Sequence, residues 1–472
     1  MTNPKHIVIV GGGFCGTMTA VNLIRNATCP LKITIVNSGA PFRRGVAFIS
    51  YSETHLLNVA AGKMSAFPDD AAHFTNWVHS KDEYSGFETG LLEETYLPRN
   101  LYGEYLLHIW DATLASKKND IEVSIIEDTV IDLEYTGTGI NILLEKKPHF
   151  AADYAVLATG NALPRNPEIK NMSYYSSPSY YKNPWNINAV SNLHKGLDVL
   201  IIGNGLTMVD TVIGLIENGF TKKIYSLSTN GFGVLPHRHF GLVYKGLVEE
   251  LEEPYELSKL FKLIHKHIKK VRKLGISAGP VIDSIRPYSQ KIWQSFTDEE
   301  KKKFLKKLRY LWGVARHRLP ILIYDIIKDL RINGQLLIYE GKLIDIEESD
   351  RGVTVTFYNG KEKRNESILV ERVINCTGPE TSIYKTLNPL LRNLAEKGII
   401  SSDPLELGIN ADISTYHIIN AKGQKSGTIF TLGTNLKGLL WETIAVPELR
   451  VQSQQLSKIL LEACEGSEER RT

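Results

Sequence analysis

Two stretches of this chain, HIVIVGGGFCGTMTA (6–20) and VLIIGNGLTMVD (199–210), have the same order: an apolar run, a glycine turn, then a helix-like continuation. Each run is apolar at nearly every position, the pattern of a parallel strand covered on both faces. In the first, Gly11, Gly13 and Gly16 fill G-x-G-x-x-G. In the second, Gly203 and Gly205 keep the first two places and Met208 stands at the third. A lone motif of this kind says little. One that follows a strand, opens a helix and recurs argues for a dinucleotide-binding fold.

The neighbouring segments repeat as well. The first half continues through KITIV, ending at Asn37, then IEVSII and VIDLEYTGTGINILL, and closes on YAVLATGNALP (154–164). The second continues through KKIYSLS and, after a long helical stretch, QLLIYEGKLIDIEESDRGVTVTF and VERVINCTGPE (370–380). VIDLEYTGTG pairs with LIDIEESDRG, and VLATG with VINCTG. The fold class expected is therefore α/β, with two Rossmann-like dinucleotide-binding domains.

The two turns differ in physics. Gly11 permits the sharp turn, Gly13 lets backbone approach a pyrophosphate, and Gly16 lets helix and strand pack closely at a positively polarised helix N-terminus. Met208 should hold its helix slightly further from the strand, which suits an exchanging nucleotide better than a permanently bound one. FAD is accordingly assigned to the first turn and NADPH or NADH to the second. Where an acid usually takes the ribose hydroxyls, the first half has Asn37, whose amide oxygen accepts a hydrogen bond. The second half has STNG (228–231), with Lys222, His237 and Arg238 nearby in sequence. Absence of the acid mildly favours NADPH.

Composition bounds the alternatives. With 55 Lys and Arg against 52 Asp and Glu, the net charge of +3 implies no polyanion partner, so no nucleic acid is expected. No apolar run reaches the roughly 18 residues of a membrane helix, and the first strand begins too early for a signal peptide. A cytoplasmic protein is expected. Cys15, Cys29, Cys376 and Cys464 show no paired spacing, which argues against a zinc site, a disulfide framework or a flavin-linked dithiol. Cys15 lies within the first glycine loop, where a small packing residue is wanted. No metal is expected: His237 and His317 fall in PHRH (236–239) and ARHRLP (315–320), and two histidines at i, i+2, as in PHRH, lie on opposite sides of a helix. Solvated charge is the expected role of both segments, with an anion site as the alternative.

FRRGVAFISYSETHLLNVAAGKMSAFPDDAAHFTNWV (42–78), YLPRNLYGEYL (96–106) and GTIFTLGTNLKGLLWETIAVPELRVQSQQL (427–456) lie outside these units. With G-L-T-M-V-D, VIDSIRPYSQKIW (281–293) and RYLWGVARHRLP (309–320), they resemble the bacterial FAD/NAD(P)-binding proteins over almost the whole chain. That family is related to two-dinucleotide-domain flavoproteins and similar to flavin-dependent N-hydroxylases. The chain departs from it at Asn37, where an acid is usual, and at 228–230, where arginines are. The resemblance implies that the second domain is inserted into the first. FAD-binding would occupy 1–165 and 381–472, and NAD(P)-binding 166–380 with a helical insertion at about 245–330. TIFTLGT (428–434) adds a strand, and a helix starting near Pro447 would point its N-terminus at the flavin, with Glu442 turned away.

With both cofactors, nicotinamide passes a hydride to flavin. Reduced flavin then either forms a hydroperoxide with O2 and hydroxylates a small amino-acid-like substrate where water is excluded, or passes electrons to a quinone or redox protein. A non-enzymatic sensor or scaffold is the third reading. A monooxygenase is favoured, the resemblance supporting an amine substrate. HLLNVAAGKMSAFPDD lacks any regular period and reads as a loop over a ligand. Asn58, Lys63 and Ser65 are its catalytic candidates, with Met64 beside the flavin. Arg44 is a candidate for the FAD pyrophosphate. The remaining cofactor candidates are Thr159, Gly160, Gly433, Trp441 and Thr443 for FAD, and Thr207, Thr377 and Gly378 for the nicotinamide nucleotide. ELSKLFKLIHKHIKKVRK (256–273) is expected to bury Leu257, Leu260, Phe261, Ile264, Ile268 and Val271 and expose its lysines. Thr297 and Glu300 have capping-box spacing. The tail CEGSEERRT is expected to fray, and oligomeric state is not legible.

Overall fold

The computed structural model describes residues 4–39, 42–50, 52–137, 139–194, 196–237 and 242–469, with side chains to 465 in the last helix. Its strands in chain order are β1 (Lys5–Val10), β2 (Leu31–Asn37), β3 (Ile121–Glu127), β4 (Val130–Tyr135), β5 (Ile140–Leu144), β6 (Phe150–Ala152) and β7 (Tyr154–Leu157). Then come β8 (Tyr180–Tyr181), β9 (Asp198–Ile202), β10 (Ile224–Ser228), β11 (Leu336–Ser349), β12 (Gly352–Asn359) and β13 (Arg364–Asn375). The chain ends with β14 (His417–Ile419) and β15 (Lys425–Thr431). It divides into two compact units. One comprises Met1–Ser50, Val59–Ala162 and Thr381–Thr472, the other Tyr51–Asn58 and Leu163–Glu380.

The first unit is built on a sheet of order β14-β15-β7-β1-β2-β3, parallel throughout except for the β14 edge. β1 is buried along its last four residues, as a strand covered on both faces must be. A separate antiparallel sheet, β4-β5-β6, packs Leu133, Ile140 and Ile142 with Val8, Ala155 and Leu157 of the main sheet and with Leu390 and Leu394. The helices Phe14–Asn26 and Val446–Glu469 lie side by side. The latter starts one residue before Pro447, where proline is favoured because its missing N–H has no helical partner anyway. It continues as helix to Glu469, so most of the tail expected to fray is helical; residues 470–472 lie outside the described residues.

The second unit has the order β12-β11-β10-β9-β13-β8, with β11, β10, β9, β13 and β8 parallel. The segments matched in sequence meet different ends. β11 runs unbroken for 14 residues, and its far half pairs antiparallel with β12. In the first unit, the equivalent chain breaks between β3 and β4. There the Asp128 carboxylate accepts the N–H groups of Thr129 (2.7 Å), Lys147 (2.8 Å) and Lys146 (3.2 Å), turning the hairpin into its own sheet.

Helices between 257 and 332 form the insertion. Helix Leu257–Arg272 corrects one expectation: Phe261 is 49% exposed, and the apolar side instead admits His267, which is buried and bonded to the Tyr244 hydroxyl at 2.6 Å. The capping box is present. Thr297 Oγ1 accepts the Glu300 N–H (3.3 Å), and Glu300 Oε2 accepts the Thr297 N–H (3.0 Å). Glu300 Oε1 also accepts the N–H of Leu257 at 2.8 Å, so one carboxylate caps two helices. Thr297→Ala is expected to cost about 1 kcal/mol and Glu300→Ala about 2 kcal/mol. Chemical denaturation checks that order, and equal losses would contradict the shared cap.

Candidate functional site

The first glycine turn leaves the carboxyl end of β1 with Gly11 at φ +111°, a conformation that side chains rarely adopt. A Cβ there would stand 2.3 Å from the Ala158 carbonyl oxygen, and a Cβ on Gly16 would stand 1.9 Å from the Gly11 carbonyl oxygen. These two glycines are required by the fold itself. Gly13 is different. The nearest atom to its missing Cβ is Gly45 Cα at 3.8 Å, an ordinary contact, so no clash demands a glycine at the N-cap of helix Phe14–Asn26. No side chain caps that N-terminus. An uncapped helix N-terminus of this kind, with its positive dipole end, is suited to an anion.

The other expected residues of this unit gather at the same strand ends. Ala158, in contact with Gly11, leads into Thr159 and Gly160. Thr159 Oγ1 is bonded to the side chain of Asn435 (3.1–3.2 Å), and the Asn435 amide also donates to Leu157 O and Thr431 Oγ1. Asn435 thus ties β7 to β15 across the site; nothing in its sequence context singles it out. Gly433, at φ +72°, presses against Cys15, whose sulfur would lie 2.9 Å from a Cβ there. Burial pushes the Cys15 thiol up to about 12, so it is a packing residue and not a nucleophile. Trp441 adopts φ +57°, an uncommon strain for a bulky residue, with the Lys437 ammonium 5.8 Å from its ring centroid.

Several assignments change once the contacts are known. Asn37 Oδ1 accepts the Gly12 N–H at 3.0 Å, so the amide read as a ribose acceptor also braces the turn. Ser65 is fully buried and its hydroxyl is engaged by its own loop, with Asp70 O at 2.5 Å and Phe67 N at 3.2 Å. Its hydroxyl, read from the sequence as a catalytic candidate, serves to form its own loop. Its carbonyl accepts from Arg450 at 2.8 Å. Thr443, also fully buried, donates to Gly433 O and accepts from Gln452, so it shapes the Gly433 turn instead of meeting a cofactor by its hydroxyl. Met64 is buried, whereas Lys63 is exposed at the end of a single helical turn, Ala61–Lys63. Arg44 lays its stem over Gly103, and its Nε is buried with no partner among the described residues. Glu442 is buried.

The second turn repeats the first closely. Gly203 has the same φ of +111°, and a Cβ on it would stand 2.3 Å from the Cys376 carbonyl oxygen. Gly203 N donates to Leu227 O at 2.8 Å, as Gly11 N does to Val36 O. At Gly205, no atom of the described residues lies within 4 Å of where a Cβ would stand. Met208 is buried in the core between helix and sheet. The first helical bond is 3.3 Å here (Val209 N to Gly205 O) against 2.9 Å in the first unit (Thr17 N to Gly13 O). Thr207 is half-buried on the helix, its carbonyl accepting from Thr211. Thr377 is held by Asn375, which is fully buried and also binds Arg165 O and Tyr180 Oη; Gly378 follows at φ +91°.

Beyond β10, Ser228 Oγ accepts the Gly231 N–H. Lys222 precedes β10 and so stands at the end away from the glycine turn, which removes it as a phosphate ligand. The cation that does approach is Arg331, whose guanidinium lies 3.6 Å from where a Cβ on Gly233 would stand. Arg238 lies outside the described residues.

Residues Tyr51–Asn58 belong to this second unit, so Asn58 is grouped apart from Lys63 and Ser65. His55 Nε2 is bonded to Asp210 O (3.0 Å), and Ser52 donates to Glu217 at 2.8 Å, both on helix Leu206–Glu217. The PHRH and ARHRLP segments meet through a bridge between Pro236 and Leu319. Arg318 is buried and paired with Asp283, and His237 is bonded to Asn58 O at 3.2 Å, so neither is the solvated charge expected. Residues 238–239 lie outside the described residues.

Burial, then the nearby Arg318, hold His237 down to about 4 from its ordinary 6.5. The unfolded chain therefore takes up this proton near 6.5 and the folded chain only near 4. Its stabilising contribution is complete above pH 6.5 and is lost as pH falls toward 4, on the order of 3 kcal/mol in all. His237→Gln should flatten the dependence of Tm on pH across that window; an unchanged slope would place the titration elsewhere.

Residues 8–162 match the protein family described as FAD-NAD(P)-binding. No curated protein matches the sequence. Among solved structures, ornithine N-hydroxylase of Kutzneria sp. 744 is 15% identical, with a TM-score of 0.67, covering 98% of this chain and 100% of its own. L-lysine 6-monooxygenase of Pseudomonas syringae is 14% identical, with a TM-score of 0.66, covering 97% and 99%. Bacillithiol disulfide reductase of Staphylococcus aureus is 13% identical, with a TM-score of 0.58, covering 98% and 99%. At these identities the likeness concerns the fold. Among the described residues, no helix is long and apolar enough to cross a membrane, and no group of three or more metal-binding side chains occurs.

Proposed function

We propose that the chain is an FAD- and NAD(P)H-dependent oxidoreductase, and within that class a monooxygenase acting on the amine of a small polar substrate. The observation that carries the reading is the repetition of one cradle, Gly11–Gly13 and Gly203–Gly205, at the same backbone angle and with no steric clash to require the second glycine of either. Both fit a pyrophosphate, the first more tightly because its helix is drawn in by Gly16. The Arg44 Nε left without a partner among the described residues suits the same anion. When bound, FAD and the pyridine nucleotide supply hydride transfer and the activation of O2.

The chain's own residues bind and orient. Backbone N–H groups at the start of helix Phe14–Asn26 hold the FAD pyrophosphate, with Asn37 at the ribose and Thr159, Gly160, Gly433 and Trp441 lining the strand ends. Gly203, Gly205, Thr207, Thr377 and Gly378 do the same for the nicotinamide nucleotide. Arg331 favours NADPH, since a 2′-phosphate is the group that the turn after β10 would present to it. Lys63 offers a carboxylate-binding ammonium and Asn58 a positioning amide. The hydroxylases of ornithine and lysine share this fold, which supports an amine substrate. The test is NADPH oxidation by the FAD-loaded protein with ornithine, lysine and cadaverine. Amine-dependent consumption with one oxygen atom added to the product supports the reading. Consumption indifferent to every amine but driven by a quinone would replace it with a reductase.

A further inference from the structure

We propose that Cys29 and Cys464 are joined by a disulfide when the protein meets peroxide, stapling the loop before β2 to the C-terminal helix. The two are far apart in sequence, and spacing rules give no hint of a pairing. Folding brings them to one corner of the first unit. Helices Phe14–Asn26 and Val446–Glu469 pack along each other. The residues next to each cysteine are bonded: Thr28 donates to the Glu465 carboxylate. On the other side, the Tyr154 hydroxyl donates to the Ala463 carbonyl at 3.1 Å, pinning the residue before Cys464 to the start of β7.

The same corner holds the other end of the pair. Cys29 comes two residues before Leu31, which pairs with Lys5 at the start of β1, and the Lys5 ammonium bonds Asp153 at 2.7 Å. Cys29, Asp153, Lys5 and Glu465 are the titratable groups close enough to act on the Cys464 thiol. The bond between Thr28 and Glu465, each next to one of the two cysteines, brings the two segments together, as a bridge requires.

Chemistry assigns the order of events. Cys464 is buried, which pushes its thiol up to about 12 and makes it a poor first target, whereas Cys29 is half-buried. Hydrogen peroxide oxidises the Cys29 thiol to a sulfenic acid, releasing one water. The Cys464 thiol then attacks that sulfur, forming the S–S bond and releasing a second water. Two thiols lose two electrons in all, and one peroxide gains them.

The bridge requires neither the proposed activity nor any bound cofactor. The full-length protein is treated with hydrogen peroxide, and its peptides are mapped by mass spectrometry without reduction. The expected product is an intramolecular link between the Cys29 and Cys464 peptides, two hydrogens lighter, with Tm raised by about 3 °C. Dithiothreitol reverses both changes, and Cys29→Ser, a change in a half-buried loop, prevents them. Retention of both thiols after peroxide, a link only between two molecules, or oxidation of Cys29 to sulfinic acid without a bridge would each overturn it.

Discussion

Gly13→Ala is expected to keep the fold and lose the flavin, whereas Gly16→Ala loses both. The contrast follows from where each new methyl would go. At Gly16 it meets a backbone oxygen at 1.9 Å, so the helix must move off the strand, at a cost of about 3 kcal/mol or more. At Gly13 it meets nothing nearer than Gly45 Cα at 3.8 Å, an ordinary contact, at a negative φ of −79°, so the free protein should change by no more than about 0.5 kcal/mol. That side of the turn is where the pyrophosphate would approach, and a methyl there should weaken FAD uptake at least about 10-fold, or about 1.4 kcal/mol. Chemical denaturation of the apoprotein and FAD titration, run on both variants, separate the two effects. A Gly13→Ala protein that takes up FAD normally would show that the cradle serves the turn alone.

Arg372→Ala is expected to be among the most damaging single changes in the second unit. Its guanidinium is buried and donates to the carbonyls of Asn188, Ala189 (3.0 Å), Ser191 (2.9 Å) and Asn192 (3.1 Å), closing the turn that precedes β9. The same group stacks over Tyr181, 4.9 Å from its ring centroid. Truncation strands several buried acceptors at once, an expected loss of about 3–5 kcal/mol in urea unfolding. Arg372→Lys should recover only part of it, because one ammonium cannot reproduce a planar fan of donors. A loss under about 1 kcal/mol for Arg372→Ala would mean that water or a rearranged turn satisfies those carbonyls.

Local pattern carries the architecture a long way. Apolar runs ending in glycine mark β1 and β9, because a parallel strand covered on both faces has no polar alternation and its turn demands a positive φ. Thr297 and Glu300 are legible because a capping box is a matter of three residues' spacing. What stays hidden depends on contacts distant in sequence. Asn435 reaches Thr159, Arg331 reaches the turn at Gly233, and Glu300 reaches Leu257; none has a local signature. Ser65 and Thr443 mislead for the complementary reason. A hydroxyl in an irregular segment is equally suited to a ligand and to its own loop, and here the loop takes it. Phe261 is exposed while His267 is buried, because hydrophobicity ignores a histidine whose polar atom finds a tyrosine hydroxyl.

The most direct test is anaerobic: the protein is loaded with FAD, titrated with NADPH and then NADH, and the yellow absorbance is followed. Two working cradles predict stoichiometric uptake of FAD and bleaching by the pyridine nucleotide, slowed at limiting NADPH by Gly205→Ala with no loss of stability. A protein that takes up no FAD, or takes it up and keeps its colour under excess of both nucleotides, would contradict them.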